Sequence, residues 1–187
     1  MNFATETWTA VANRALASLG REPLVDIDQE GSDAELVRQS LPEAVGVCAG
    51  WFDWSFLRTK AKLSKDANAY EEDFSYSYSL PSDAMRVQKI DTYGYGYMIY
   101  GNKICTESES CAVTYMKLPA GPIFSAPAWN AAVQHYLAFL LAKTLTGNES
   151  LMNMEYQLFN TWISNAMAND RAILEKTGEK WWGEMNG

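Results

Sequence analysis

One histidine stands in this chain of 187 residues, at position 135. A zinc site, a Ser-His pair or a Cys-His pair would have to be assembled around that single imidazole. It lies inside a helical pattern between Gln134 and Tyr136, on the flank of an apolar face, where a hydrogen-bonded structural histidine is the expectation. Cysteine is scarce as well. Cys48, Cys105 and Cys111 have neither the paired spacing of a zinc site nor the density of a disulfide-stapled secreted fold, so reduced thiols are expected, with a Cys105–Cys111 bridge between neighbouring strands as the alternative. No phosphate loop, zinc-protease helix or Rossmann fingerprint is present, and Gly94-Tyr95-Gly96 has neither the lysine nor the flanking helix that a phosphate cradle requires. The expectation is a chain with no catalytic residue, no cofactor and no metal. No apolar run approaches the length of a membrane span and no basic-then-apolar leader opens the sequence, so a protein soluble when made is expected.

Positive charge is also in short supply. Fifteen basic residues against 23 acidic ones leave a net charge of −8, which argues against nucleic acid as a tightly held ligand, because neutralising phosphates needs a basic face. An acidic wall is still suited to letting DNA slide past without sticking.

What the chain has in excess is aromatic rings: 7 Trp, 10 Tyr and 7 Phe. That is more than one core of this size encloses, so some rings are expected at the surface, where Trp and Tyr favour protein interfaces. A sugar-binding surface has the same composition, and the rings alone do not separate the two. Hydrophobic residues at 48% and charged residues at 20% are the values of a globular chain with a core large enough to need no covalent staples.

Along the chain, a helix is expected from about Glu6 to Leu19, packing by Trp8, Val11, Ala12, Ala15 and Leu19 and stopped by Gly20 in the left-handed conformation with Pro23 beyond it. A strap with Val25 and Ile27 leads to Ser32-Asp33-Ala34-Glu35, which has the form of a capping box. The helix after it carries Leu36, Leu41, Ala44, Val45, Cys48 and Trp51, and Pro42 is expected to bend it rather than divide it. Periodicity then changes to two, giving candidate strands at 59–63, 74–80, 85–92, 95–100, 103–106 and 112–118. Gly101-Asn102 reads as a two-residue hairpin turn, and Pro81-Ser82-Asp83 as another turn. A proline-rich connector follows. Ser125 is expected to cap a third helix with Pro127 in its first turn, a face of Trp129, Ala132, Val133, Tyr136, Leu137, Leu140 and Leu141, and a stop at Gly147. A fourth helix is expected from Leu151 to about Leu174, burying Met154, Leu158, Trp162, Ala166 and Ile173. The fold class is α+β: an antiparallel helical bundle (1–57 and 119–175), a central antiparallel β insertion (58–118) and an extended C-terminal tail (176–187).

Four stretches, in this order, carry a resemblance. They are Ala15-Leu16-Ala17-Ser18-Leu19-Gly20 with Pro23-Leu24, Trp51-Phe52-Asp53-Trp54-Ser55-Phe56, Tyr76-Ser77-Tyr78-Ser79-Leu80-Pro81-Ser82-Asp83, and the run from Leu137 to Gly147 that ends in Leu-Thr-Gly. Together they resemble the tail tubular protein A family of short-tailed phages, the adaptor between portal and tail. The resemblance implies a non-catalytic virion protein at the head-to-tail interface, made in the host cytoplasm. It also implies a homo-oligomeric ring of about twelve copies that binds the portal protein on one side and the tail nozzle protein, with tail fibres as a further contact, on the other. Genomic DNA would pass through the ring without specific binding, and no membrane is involved. A head-completion connector of a long-tailed phage is the nearest alternative; it would be expected to carry less β structure.

Partner-binding candidates are Trp181 and Trp182, whose polar surroundings offer no core of their own; Trp54, at the junction of second helix and first strand, where burial is the competing role; and Tyr95 and Tyr97, in a Tyr93-Gly94-Tyr95-Gly96-Tyr97 stretch read as a hairpin tip or mobile loop. A rival of a different class is a carbohydrate-binding tail component that stacks sugars on exposed rings and uses Glu71, Glu72 or Asp73 as acids. Adjacent acids in an Asn- and Ala-rich stretch, and the Glu107-Ser108-Glu109-Ser110 run, read more simply as solvated turns.

Overall fold

The computed structural model describes residues 6–67 and 70–177, with side chains as far as residue 174. The described residues form a mixed α+β fold of four α-helices and two small antiparallel sheets, ending in a helix. They divide into two compact units, one from the described parts of Met1–Phe56 and Pro119–Gly187 and one from Leu57–Leu118.

In the helical unit, α1 (Trp8–Ser18) starts on Thr7, whose hydroxyl accepts from the Ala10 N–H at 3.1 Å. It ends in a paired closure: the Arg21 N–H reaches the Leu16 carbonyl at 2.9 Å and the Gly20 N–H the Ala17 carbonyl at 3.0 Å. That geometry needs a left-handed residue, and Gly20 supplies it at φ 70°. Helix α2 (Ser32–Gly50) runs unbroken through Pro42. The expected capping box does not form. The helix already begins at Ser32 behind Gly31, so the serine hydroxyl turns to Asp33, and the Glu35 carboxylate is engaged by Arg38 at 2.5 Å and Gln39 at 2.7 Å. Asp33 and Glu35 instead lie in the first turn, where negative charge suits the helix dipole.

Helix α3 (Pro127–Thr146) places Pro127 at its first turn and stops on Gly147 at φ 62°, but its cap is Ala126, not Ser125. No side chain caps α3; Asn130, buried one turn in, instead ties down the chain ahead of the helix, accepting from the Ile123 N–H at 2.9 Å and donating to the Ile123 carbonyl at 3.0 Å. Helices α1, α2 and α4 (Glu149–Thr177) all pack on α3, which explains why α3 is apolar around most of its circumference.

The buried face of α4 is Glu155, Phe159, Ile163, Ala166, Asp170 and Leu174. This corrects the expected face: of its members only Ala166 is buried, while Met154, Trp162 and Ile173 are exposed. Two of the true face positions are carboxylates, Glu155 and Asp170, held by the half-buried His135 and Ser55, so apolar periodicity pointed about one position away.

All six expected strands form: β1 (Arg58–Lys62), β2 (Tyr76–Ser79), β3 (Ala84–Asp91), β4 (Tyr97–Tyr100), β5 (Lys103–Thr106) and β6 (Ala112–Lys117). They sort into two sheets, β1-β6-β3 and β2-β5-β4, with every pairing antiparallel. The β4–β5 hairpin turns on Gly101-Asn102, and Gly101 takes φ 60°, as the first central position of a tight hairpin turn demands. Tyr78, Ile104 and Cys111 form a fully buried cluster in this unit, packed by Leu63, Tyr76, Leu80 and Ile90. No described helix is long and apolar enough to cross a membrane.

Candidate functional site

The segment between β3 and β4 crosses from one sheet to the other, so it is not a hairpin tip. Its backbone is tied down. The Asp91 carboxylate accepts from the Tyr93 N–H at 3.1 Å, the Thr92 hydroxyl donates to the Tyr95 carbonyl, the Tyr95 N–H returns to the Thr92 carbonyl at 3.3 Å, and the Thr106 hydroxyl holds the Gly96 carbonyl at 2.7 Å. Tyr93 itself sits at φ 53°, an uncommon conformation for a ring-bearing residue. With the turn from Asp91 to Gly96 pinned by these bonds, the side chains face out: Tyr93, Tyr95, Tyr97, Met98 and Ile99 are 58, 57, 44, 51 and 49% exposed. Five large apolar residues within seven positions form the densest exposed apolar stretch among the described residues. Sequence reading found the tyrosines and missed Met98 and Ile99, because a strand was assumed to hide one face in two; both faces of β4 are open over its first three residues.

Trp54 is not at the surface. It is 0% exposed, packed between Phe52 and Phe56 at ring distances of 5.2 and 5.4 Å, and its indole N–H donates to the Cys48 carbonyl at 2.8 Å. Cys48 lies in the last turn of α2, where its carbonyl also accepts from the Trp51 N–H at 3.4 Å, so the indole is a second donor at the helix end. That removes Trp54 from the partner-binding candidates. Its neighbour Trp51 is exposed and meets Phe159 edge-on at 5.2 Å; with Tyr156 and Trp162 it accounts for surface rings of the helical unit that sequence reading had assigned to the core or passed over. Trp181 and Trp182 lie outside the described residues.

His135 is held by a carboxylate: its Nδ1 lies 2.7 Å from Oε2 of Glu155, a residue with no exposed surface. The other oxygen of Glu155 is buried and has no hydrogen-bond partner among the described residues. Asp170 plays a similar part on the same helix, accepting from the Ser55 N–H at 3.1 Å and the Ser55 hydroxyl at 2.5 Å. Both acids are used in joining elements of the helical unit. A cavity of about 30 Å³ beside Asp170, lined also by Phe56, Trp129 and Ile173, is far below the ~300–1,000 Å³ of clefts that enclose small ligands.

Glu71, Glu72 and Asp73 form an exposed turn closed by the Asp73 and Phe74 N–H groups on the Tyr70 carbonyl. Glu107 is a clip, accepting from the Ser75 N–H at 3.0 Å and the Ser75 hydroxyl at 2.5 Å, and Glu109 accepts from the Tyr76 hydroxyl at 3.0 Å, which pushes the Tyr76 phenol above its ordinary range. Among the described residues no group of three or more His, Cys, Asp or Glu side chains is placed to hold a metal ion. All three cysteines are free and buried. Desolvation raises the Cys48 and Cys105 thiols, and Cys111 to about 11, which suppresses the thiolate a nucleophile would need. Compared with known proteins, the chain matches no family model and no curated protein.

Proposed function

We propose that this chain is a structural adaptor of a short-tailed phage, a ring subunit that joins portal to tail nozzle and extends the DNA channel. The observation that carries the reading is the hydrogen-bonded aromatic edge of Tyr93, Tyr95, Tyr97, Met98 and Ile99, uncharged and open. Rings held outward on a fixed backbone lose little entropy on contact and are the residues that dominate protein interfaces. The ordered motifs around Gly20, Trp51–Phe56, Tyr76–Asp83 and Leu137–Gly147 add the resemblance to the adaptor family, and the net charge of −8 suits a channel through which DNA passes unbound. In this reading the four helices form an antiparallel bundle that builds the ring body. The β unit is then an insertion whose tyrosine edge receives the nozzle or the fibres, and Trp181 and Trp182 are anchors for a neighbouring subunit.

The test is co-sedimentation with portal rings purified from a short-tailed phage, using the intact chain and the triple variant Tyr93→Ser, Tyr95→Ser, Tyr97→Ser. The expected result is that the intact chain sediments with portal or with the portal–nozzle complex, and that the triple variant, unchanged in thermal unfolding, is lost from the nozzle-bound fraction. Failure of the intact chain to join either complex, together with binding on a glycan array, overturns the proposal in favour of a carbohydrate-binding component.

A further inference from the structure

The two sheets have four edge strands, and three of them are guarded. Strand β1 carries Arg58, Lys60 and Lys62; β3 carries Arg86 and Lys89 and is broken by two register shifts; β2 is covered by the segment at Lys65 and Asp66, through a bridge from Lys65 to Tyr78 and the Asp66 N–H on the Ser77 carbonyl at 2.8 Å. Charge, bulges and covering chain are the devices by which sheet edges avoid pairing with other chains. Strand β4, Tyr97-Met98-Ile99-Tyr100, has none of them.

Register shows which backbone groups β4 leaves open. The Leu80 N–H bonds the Asn102 carbonyl at 2.8 Å, so alternate residues Asn102, Ile104 and Thr106 turn their backbone to β2, leaving Lys103 and Cys105 to bond β4. Their partners there are Tyr100 and Met98. The N–H and C=O groups of Tyr97 and Ile99 therefore point to the outer edge, and among the described residues nothing bonds them.

We infer that β4 pairs with β4 of a second copy of this chain, antiparallel about a two-fold axis at Met98. Whatever occupies a strand edge must bring an open strand edge of its own, and the only uncharged, uncovered one among the described residues is β4. Self-pairing sets no like charges together, whereas β1, with Arg58, Lys60 and Lys62, would oppose cation to cation. With Tyr97 and Ile99 as the bonding residues, Tyr97 of each copy faces Ile99 of the other and four hydrogen bonds form. Met98 then meets its own symmetry mate in the non-hydrogen-bonded position, where opposed Cα atoms approach to about 4.5 Å. The product is one six-stranded sheet in which the apolar side chains of the two β4 strands flank one another on each face.

That register makes the test specific. Met98→Cys places two thiols across the axis within the range a disulfide spans, whereas Ile99→Cys places each thiol opposite Tyr97. The native thiols are buried and do not compete. Under oxidised glutathione, Met98→Cys is expected to convert mostly to a covalent dimer within the time that Ile99→Cys yields at least fivefold less. In sedimentation equilibrium, Met98→Lys, with unchanged circular dichroism, is expected to weaken self-association at least tenfold. A chain that is monomeric at all concentrations, or equal cross-linking at 98 and 99, overturns the pairing. Both readings use β4, the pairing in the free chain and the adaptor contact in the assembled one, and they fail separately. Neighbours in a cyclic ring are not related by a two-fold axis, so oxidised Met98→Cys dimers are expected to stay out of portal rings that the reduced protein enters. Cross-linking without any portal binding would count against the adaptor reading alone.

Discussion

Removing His135 is expected to harm this protein more than removing the carboxylate it holds. Glu155 is wholly buried, its Oε2 meets His135 Nδ1 at 2.7 Å, and its Oε1 has no partner among the described residues. In His135→Leu both carboxylate oxygens are left buried and unpaired, a change that costs about 3–5 kcal/mol when one member of a buried pair is deleted. For a chain of this size that is a fall of roughly 6–20 °C in Tm, at ~2–4 °C per kcal/mol. Glu155→Met keeps the methylenes that pack on α3 and removes the oxygen that already lacks a partner. It forfeits one hydrogen bond, about 1 kcal/mol, and His135, whose side chain is 13% exposed, still reaches water. The double variant is therefore expected to recover most of the His135→Leu loss, with a coupling of at least ~2 kcal/mol in a double-mutant cycle. Urea and thermal unfolding followed by circular dichroism measure all four proteins. If Glu155→Met is the more damaging single change, or if the two losses add, the carboxylate is not the liability that its burial makes it.

Other outcomes follow from the same packing. Phe159→Ala, in the buried row of α4, is expected to cost about 3–5 kcal/mol, and Trp162→Ser, one turn along on the exposed side, about 1 kcal/mol or less, read from urea midpoints. Gly20→Ala forces a β-carbon into the left-handed closure of α1 and is expected to lower stability by about 1 kcal/mol, seen as a Tm shift of ~2–4 °C. The Cys111 thiol is raised by burial from 9.0 to about 11, so between those values the folded chain holds a proton that the unfolded chain has released. Stability from this group is thus complete below pH 9 and is lost as pH rises through 11, and a urea midpoint that increases over that interval would contradict the assignment. At pH 8 none of the three thiols is expected to react with a thiol reagent until the chain unfolds.

Much of the fold was legible because its signals are local. Gly20, Gly101 and Gly147 each mark a turn that only positive φ completes, and alternation found all six strands. What alternation does not encode is partner choice, so the split into two sheets and the crossing at Tyr93–Tyr97 had no signature in sequence. Burial was misjudged where polar atoms were satisfied at long range. Glu155 and Asp170 hide in the buried row of α4 because His135 and Ser55 meet them from residues 20 and 115 positions away, and apolar counting shifted the face toward Met154 and Trp162. The caps expected at Ser32 and Ser125 lost to other local bonds: Arg38 and Gln39 engage Glu35, and Asn130 ties the chain ahead of α3. Position left Trp54 open to burial or to a subunit contact, and it is buried between Phe52 and Phe56 with its N–H on the end of α2. Of the candidate site, the tyrosines were readable as rings in a glycine-rich stretch, whereas the openness of β4 depends on which strands end a sheet.

The central claim is that the open aromatic edge exists to be covered by polypeptide. Electron microscopy of the chain mixed with portal rings purified from a short-tailed phage tests it most directly. The account predicts an added ring of this chain stacked on portal, with density from portal, nozzle or a neighbouring copy over Tyr93, Tyr95 and Tyr97. Bare portal rings beside free chain, with those tyrosines engaged by a sugar in solution, would contradict it.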